Sequence, residues 1–90
     1  MNKSIGMLET VGYTAALRAI DMMVKMAYVE IANIENIGSG IVATTITGDI
    51  DSVKIALEIG AEEALKSGEL IGVHSIAKPL IKIKTKELEW

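Results

Sequence analysis

Hydrophobic and polar positions repeat with two different periods along the chain, and these periods predict four strands and two helices. Short runs rich in β-branched residues indicate strands, whereas Tyr13–Met26 repeats its apolar positions every three or four residues, as a helix does. In chain order, the predicted elements are a strand over residues 4–10, a helix over Tyr13–Met26, strands over Tyr28–Ile34 and Ile41–Thr47, a helix from the Gly48-Asp49 turn to about Lys66, and a strand over Leu70–Ile76. This β-α-β-β-α-β order predicts a ferredoxin-like α/β (α+β) domain, with a four-stranded antiparallel sheet and both helices on one face.

The first predicted helix carries more apolar surface than contact with one sheet requires. Its polar positions form a narrow stripe of Thr14, Arg18, Asp21 and Lys25. Its apolar positions form two rows, namely Leu17, Ile20 and Val24 with Ala16 and Met23 beside them, and Ala15, Ala19, Met22 and Met26. A surface helix usually needs one apolar stripe. We therefore expect one row to face the sheet and the other to face something outside the domain.

The second predicted helix has a start signal and a stop signal. Asp49 or Asp51 can cap its first turn, because a carboxylate accepts from free amides there and suits the positive end of the helix dipole. Ser67-Gly68 ends it, since glycine favours the left-handed position after a helix. The expected inward positions are Val53, Ala56, Leu57, Gly60 and Ala64. Gly60 is unfavourable inside a helix, so its expected role is close packing on the sheet.

The composition predicts a small domain that associates with other copies. The chain has 90 residues, is 50% hydrophobic and contains no Phe, and its mean hydropathy is +0.38. A domain of this size buries only about 60–65% of the surface that its unfolded chain exposes. Apolar surface that such a core cannot cover usually meets a partner, so we expect an oligomer.

Charge, cysteine content and hydropathy argue against several classes of function. The net charge of −3 argues against nucleic-acid binding, and the absence of cysteine excludes disulfides, thiolate metal sites and cysteine-ligated electron carriers. The sequence shows no signal peptide and no membrane span, so we expect no membrane partner and a cytoplasmic location. Four of the nine basic residues are Lys78, Lys82, Lys84 and Lys86, which suit either a solvated end or contact with an anionic partner.

Residues with catalytic or metal-binding chemistry are sparse. The single histidine, His74, lies within a predicted strand, where a hydrogen-bonded structural role is expected, and no second metal ligand follows at a recognisable spacing. Gly38-Ser39-Gly40 lacks the Lys-Ser/Thr of a P-loop and leads into a strand rather than a helix. We therefore expect no enzyme activity, no metal and no cofactor.

Gly38-Ser39-Gly40 is nevertheless the most distinctive segment of the chain. It has almost no side-chain bulk, so backbone amides and one hydroxyl dominate its surface. Glycine allows positive φ and the close approach of a ligand or a second backbone. A flexible turn between two strands and a binding turn are both compatible with the tripeptide alone.

Several short motifs, in order, resemble those of the single-domain, hexameric shell proteins of bacterial microcompartments, the BMC-H type. The similar segments are Ile5–Gly12 (the family's A-x-G-M-V-E-T-x-G opening), Asp21–Lys25 (its D-x-M-V-K helix segment), Ile37–Gly40 (its pore loop), Gly48–Lys54 (its G-D-V-x-x-V-K helix start) and Val73–Ile76 before Lys78-Pro79. The resemblance covers residues 4–79, expected to form the BMC domain, and leaves residues 80–90 as a C-terminal tail. In two departures, this chain has Lys78 where the family commonly has Arg, and Asn36 where relatives often have Lys.

The resemblance implies a structural role in a shell. It implies a flat homohexamer that tiles with other hexameric, trimeric and pentameric shell proteins around encapsulated enzymes or their targeting peptides, in a microcompartment shell in the cytoplasm. It places Ile37, Gly38, Ser39 and Gly40 at a central pore for small polar metabolites. It also places Lys25, Asp21, Lys78 and Pro79 at the edge between hexamers. The enclosed pathway stays open.

The fold leaves one alternative, an ACT-like regulatory module that senses a small molecule. In that case the Gly38-Ser39-Gly40 turn would cradle an effector at a dimer interface. Assembly separates the two hypotheses. A sensor predicts a discrete dimer or tetramer, whereas a shell protein predicts hexamers that extend into sheets or tubes.

Overall fold

The structure, a computed structural model that describes residues 3–76, has the predicted order of elements. They are β1 (Ser4–Val11), α1 (Tyr13–Met26), β2 (Glu30–Gly38), β3 (Ile41–Gly48), α2 (Ile50–Lys66) and β4 (Leu70–Ile76). The strands form one sheet in the order β2-β3-β1-β4, and every neighbouring pair is antiparallel. Ile5 of β1 pairs with Ile76 of β4. The predicted ferredoxin-like arrangement is therefore confirmed.

The boundaries of β2 differ from the predicted strand over Tyr28–Ile34. The strand begins at Glu30 and continues through the sequence Glu35-Asn36 to Gly38, because its ladder with β3 extends that far. Asparagine, glutamate and glycine have low strand propensity, but pairing with a neighbouring strand outweighs that preference. Tyr28 consequently lies in the connection between α1 and β2.

Both helices pack on the same face of the sheet. Alternate residues of β1 are buried, and the core cluster joins Leu8 of β1 and Ile46 of β3 to Met23 of α1 and Leu57 of α2. This alternation follows from the period of two in a strand, where successive side chains point to opposite faces. The second face of the sheet is left without a helix among residues 3–76, and none of their helices is long and apolar enough to cross a membrane.

The buried face of α1 runs between the two predicted rows rather than along one of them. Its fully buried residues are Ala15, Ala16, Ala19 and Met23. Leu17 and Val24 are exposed, at 56% and 45% of their surface. The small alanine side chains let α1 approach the sheet and α2 closely. Leu17 and Val24 therefore point away from the core, whereas the larger side chain of Met23 is part of it.

The inward face of α2 is the predicted one, and Gly60 has the predicted close contacts. Val53, Ala56, Leu57, Gly60 and Ala64 are all buried. A Cβ atom at Gly60 would lie 2.8 Å from Sδ of Met23 and 3.1 Å from Cδ2 of Leu8. Gly60 thus packs against α1 as well as against the sheet.

Candidate functional site

The tip of the β2–β3 hairpin is a tight turn formed by Ser39 and Gly40. Gly38 pairs with Ile41, so these two residues occupy the central positions of the turn. Their φ angles are +57° and +76°, and Gly38 has φ +108°. Two central residues with positive φ are the mark of a type I′ turn, which matches the twist of a hairpin. Ser39 is the one non-glycine residue with positive φ in the part of the chain that the structure describes.

Two hydrogen bonds fix this tip. The amide of Gly38 donates to Oδ1 of Asn36 at 2.9 Å. The amide of Gly12, which precedes α1, donates to the carbonyl oxygen of Gly40 at 2.8 Å. The tip is therefore anchored within its own hairpin and at the start of α1. A purely flexible turn would have no such anchors, so the geometry favours a turn of defined shape.

The surface of the tip is polar and uncharged. Ile37, Gly38, Ser39 and Gly40, which the sequence analysis singled out together, are contiguous and exposed. They offer one hydroxyl, backbone amides and one half-exposed isoleucine. Such a surface can exchange hydrogen bonds with a polar molecule, but these four residues carry no acidic or basic side chain.

A second exposed cluster lies at the opposite end of α1. Nζ of Lys25 is 3.3 Å from Oδ2 of Asp21, and both side chains are about two-thirds exposed. An ion pair one helical turn apart in water contributes only about 0.3–0.5 kcal/mol, so its charges stay available to a partner. Lys78 and Pro79, expected beside them, lie outside the described residues.

Tyr28 belongs to the same end of α1 and was not among the predicted site residues. Its side chain is 92% exposed, and Met26 beside it is 61% exposed. Together with Val24, Lys25 and Ala27 they border a shallow groove of about 210 Å³. Its assignment to a predicted strand hid its exposure. The sequence signal was an aromatic residue two positions after the end of the predicted helix.

The hairpin tip and the Lys25 cluster are well separated. Gly12 holds the tip at the beginning of α1, and Lys25 lies in its last turn. With 14 residues and a rise of 1.5 Å per residue, the helix spans about 20 Å. Two distinct surfaces are therefore available, one for each of the roles expected from the sequence.

His74 has a hydrogen-bonded partner, as predicted. Its Nε2 lies 3.2 Å from Oε1 of Glu9 on the neighbouring strand. The two side chains meet above Gly72, where a Cβ atom would lie 2.8 Å from the Glu9 oxygen. Among residues 3–76 there is no group of three histidine, aspartate or glutamate side chains that could hold a metal ion.

Comparison with known proteins identifies the family. The BMC domain matches residues 4–79. The chain belongs to the BMC domain family. It is 46% identical over 77 residues to the bacterial microcompartment shell protein PduA of Citrobacter freundii, a match that covers 86% of this chain and 83% of PduA. It is 40% identical to the carboxysome shell protein CcmK2 of Synechocystis, over 88% of this chain and 79% of that protein.

A solved structure supports the BMC fold. A microcompartment protein from Desulfitobacterium hafniense superposes with a TM-score of 0.78 at 22% identity, over 87% of this chain. This chain spans 42% of that larger one. At such identity the likeness concerns the fold alone. The shell-protein relatives show the family instead, because this chain matches 83% of PduA and 79% of CcmK2.

Proposed function

We propose that this BMC protein is a structural shell protein without enzymatic activity, which assembles into flat hexamers and tiles into the shell of a microcompartment. The observation that carries the proposal is its similarity to PduA and CcmK2, over 83% and 79% of the length of those shell proteins. The shape of the domain supports it. The principal extents are 42 × 29 × 15 Å, so the protomer is a thin slab suited to a flat tile.

Exposed apolar side chains support association of the protomers. Tyr13, Leu17 and Val24 lie along one side of α1 and are each about half exposed. A domain of 90 residues is too small to bury these side chains in its own core. Contact with a second copy removes this surface from water, at about 25 cal/mol for each Å² of apolar surface.

The hairpin tip is the proposed pore lining. Six tips around one axis would bring six Ser39 hydroxyls and the amides of Gly38 and Gly40 to a narrow polar opening. A tip held by Asn36 and Gly12 gives such an opening a defined width. Hydrogen-bonding groups at this opening replace part of the hydration shell of a polar metabolite, whereas an apolar molecule gains little from them.

The cluster at the end of α1 is the proposed edge between hexamers. Lys25 and Asp21 carry opposite charges. Across a two-fold axis between two hexamers, Lys25 of each hexamer can contact Asp21 of the other. Lys78 and Pro79 belong to the same proposed edge. The further partners are other hexameric, trimeric and pentameric shell proteins and the encapsulated enzymes or their targeting peptides.

Light scattering tests this proposal. At micromolar concentration and moderate salt, the purified protein is expected to be hexameric or larger, and electron microscopy is expected to show sheets or tubes. A monodisperse monomer contradicts the proposal. A discrete dimer or tetramer contradicts it as well and favours the ACT-like sensing module.

A further inference from the structure

We infer that the proposed pore favours small organic cations and uncharged polar molecules over carboxylates and phosphates. The inference rests on the proposed function, because it concerns the six-fold opening formed by the hairpin tips. Its basis is the charge of the hairpin. From Glu30 to Gly48 the hairpin contains two carboxylates, those of Glu30 and Glu35, and no lysine or arginine.

The two carboxylates have different surroundings. Oε1 of Glu30 lies 3.8 Å from Nζ of Lys3, so a cation offsets its charge. Oε1 of Glu35 accepts from Nδ2 of Asn33 at 3.2 Å, and this amide is neutral. Within residues 3–76 no ion pair involves Glu35. Glu35 is therefore the uncompensated charge of the hairpin.

Glu35 is also the nearer of the two carboxylates to the tip. It precedes Ser39 by four residues, about 13 Å along an extended strand. It pairs with Ala43 on β3, and Ala43 pairs in turn with Glu9 on β1, so Glu35 and Glu9 lie on the same face of the sheet. The imidazole of His74 contacts Glu9. On this face of the sheet, Glu9 belongs to β1, whereas Glu35 belongs to β2 and is the carboxylate carried by the hairpin itself.

Asn36 adds no charge that would oppose Glu35. Its Oδ1 is held by the amide of Gly38 at 2.9 Å, so the side chain supports the turn. The amides and hydroxyl at the tip carry partial charges, whereas each Glu35 carries a full negative charge. In a hexamer six such carboxylates surround one mouth. Rings of acidic side chains favour cations in channels, because they raise the local concentration of positive ions.

Screening determines where this selection acts. The Debye length is about 8 Å at physiological ionic strength, which is shorter than the separation of Glu35 from the tip. Glu35 therefore acts on molecules that enter the mouth rather than at the constriction itself. The selectivity is expected to fall as salt is raised, since the Debye length shortens to about 3 Å at 1 M.

Conductance of hexamers in planar lipid bilayers tests the inference, with K⁺ and Cl⁻ as probes. Under a KCl gradient at low salt, the reversal potential of the unsubstituted protein is expected to show K⁺ permeability above that of Cl⁻. Glu35→Gln keeps the shape of the side chain and is expected to lower this ratio by at least about twofold. Asn36→Lys is expected to lower it further or invert it. Glu30→Gln, beside Lys3, is the matched control and is expected to change it little.

The outcomes separate this inference from the proposed function. An unsubstituted pore that prefers Cl⁻, or a Glu35→Gln pore with an unchanged ratio, overturns the inference and leaves the shell role intact. Equal effects of Glu30→Gln and Glu35→Gln overturn the assignment to Glu35. Hexamers confirmed by light scattering that carry no current overturn the pore itself. A protein that forms no hexamers contradicts the proposed function.

Discussion

The amide nitrogen of Gly12 lies 2.8 Å from the carbonyl oxygen of Gly40, so the N-cap residue of α1 and the tip of the β2–β3 hairpin share a hydrogen bond. Gly12 adopts φ +85°, a conformation that residues with a side chain rarely adopt. The position of the proposed pore loop therefore depends on a glycine that is 28 residues away in the sequence.

Gly12→Ala is expected to loosen the hairpin tip. Nothing lies within 4 Å of an added Cβ atom at residue 12, so the effect comes from the backbone conformation alone, φ +85° with ψ 164°, and amounts to about 1–3 kcal/mol of unfolding free energy. Hydrogen exchange is expected to accelerate at the residue 12 amide and around Gly38. Gly68→Ala is the control, since Gly68 has φ +72° and equally open space but bonds to Leu65. Equal acceleration at the tip in both variants would refute the role of Gly12.

Substitution of Ser39 is expected to separate the shape of the turn from the chemistry of the pore. Ser39→Asn suits φ +57° better than serine does, and its expected stabilisation is about 0.5 kcal/mol by thermal unfolding. Ser39→Leu replaces a polar ring with an apolar constriction and is expected to reduce conductance strongly while hexamers persist. Its cost to stability is expected to be about 1 kcal/mol at most, because serine already carries the left-handed strain. A Ser39→Leu pore with unchanged conductance would remove Ser39 from the transport mechanism.

Lys25→Asp is expected to abolish sheets and tubes while hexamers stay intact. It exchanges an exposed cation at the proposed edge for an anion beside Asp21, and costs the protomer only about 0.5 kcal/mol. Lys66→Asp is the matched control. Lys66 also lies in the last turn of a helix and also pairs at 3.3 Å with an acid one turn earlier. Electron micrographs would contradict this assignment if Lys25→Asp formed sheets at the same protein concentration at which the unsubstituted protein forms them.

Asp49 is expected to make the stability of the fold sensitive to acid. Its carboxylate caps α2 by accepting from the backbone amide of Ser52 at 2.9 Å and from the Ser52 hydroxyl at 3.2 Å, and the backbone bond is the main cause of its lowered pKa. The folded state therefore favours the ionised form. This stabilisation is fully present above the ordinary pKa of aspartate, near 3.8, and is lost as pH falls through the lower pKa of the folded state.

Thermal unfolding between pH 7 and pH 2 measures this contribution. Asp49→Asn keeps an acceptor oxygen but cannot titrate, so its loss of stability below pH 4 is expected to be smaller than that of the unsubstituted protein. Asp51→Asn removes a neighbouring charge without touching the cap. An unchanged acid profile for Asp49→Asn would show that other carboxylates govern acid unfolding.

The elements and the inward face of α2 followed from periodicity, because local pattern and tertiary packing agree there. Two features did not. β2 extends through Glu35-Asn36 because β3 pairs with it there. The strand propensity of these residues alone does not predict that pairing. The buried face of α1 consists of three alanines and Met23, and the small size of the alanines matters only once a sheet and a second helix approach.

The candidate site followed from the sequence only in part. The tip residues were found because a glycine-rich turn is visible in one chain, whereas the edge role of Asp21 and Lys25 was implied by the resemblance to shell proteins. The bond between Gly12 and Gly40 was not predicted, since it joins backbone atoms whose approach depends on the folded sheet. Tyr28 was missed for a related reason, because its exposure depends on where β2 begins.

The pairing of Ile5 with Ile76 brings the beginning of β1 and the end of β4 to one corner of the domain. The chain that precedes Ile5 and the chain that follows Ile76 therefore leave from adjacent strands, so a passenger fused directly before Ile5 and one fused directly after Ile76 would leave the sheet at the same corner. A circular permutant follows from the same geometry. A linker from Ile76 to Ile5, with the chain opened between Ser67 and Gly68, would preserve all three strand pairings.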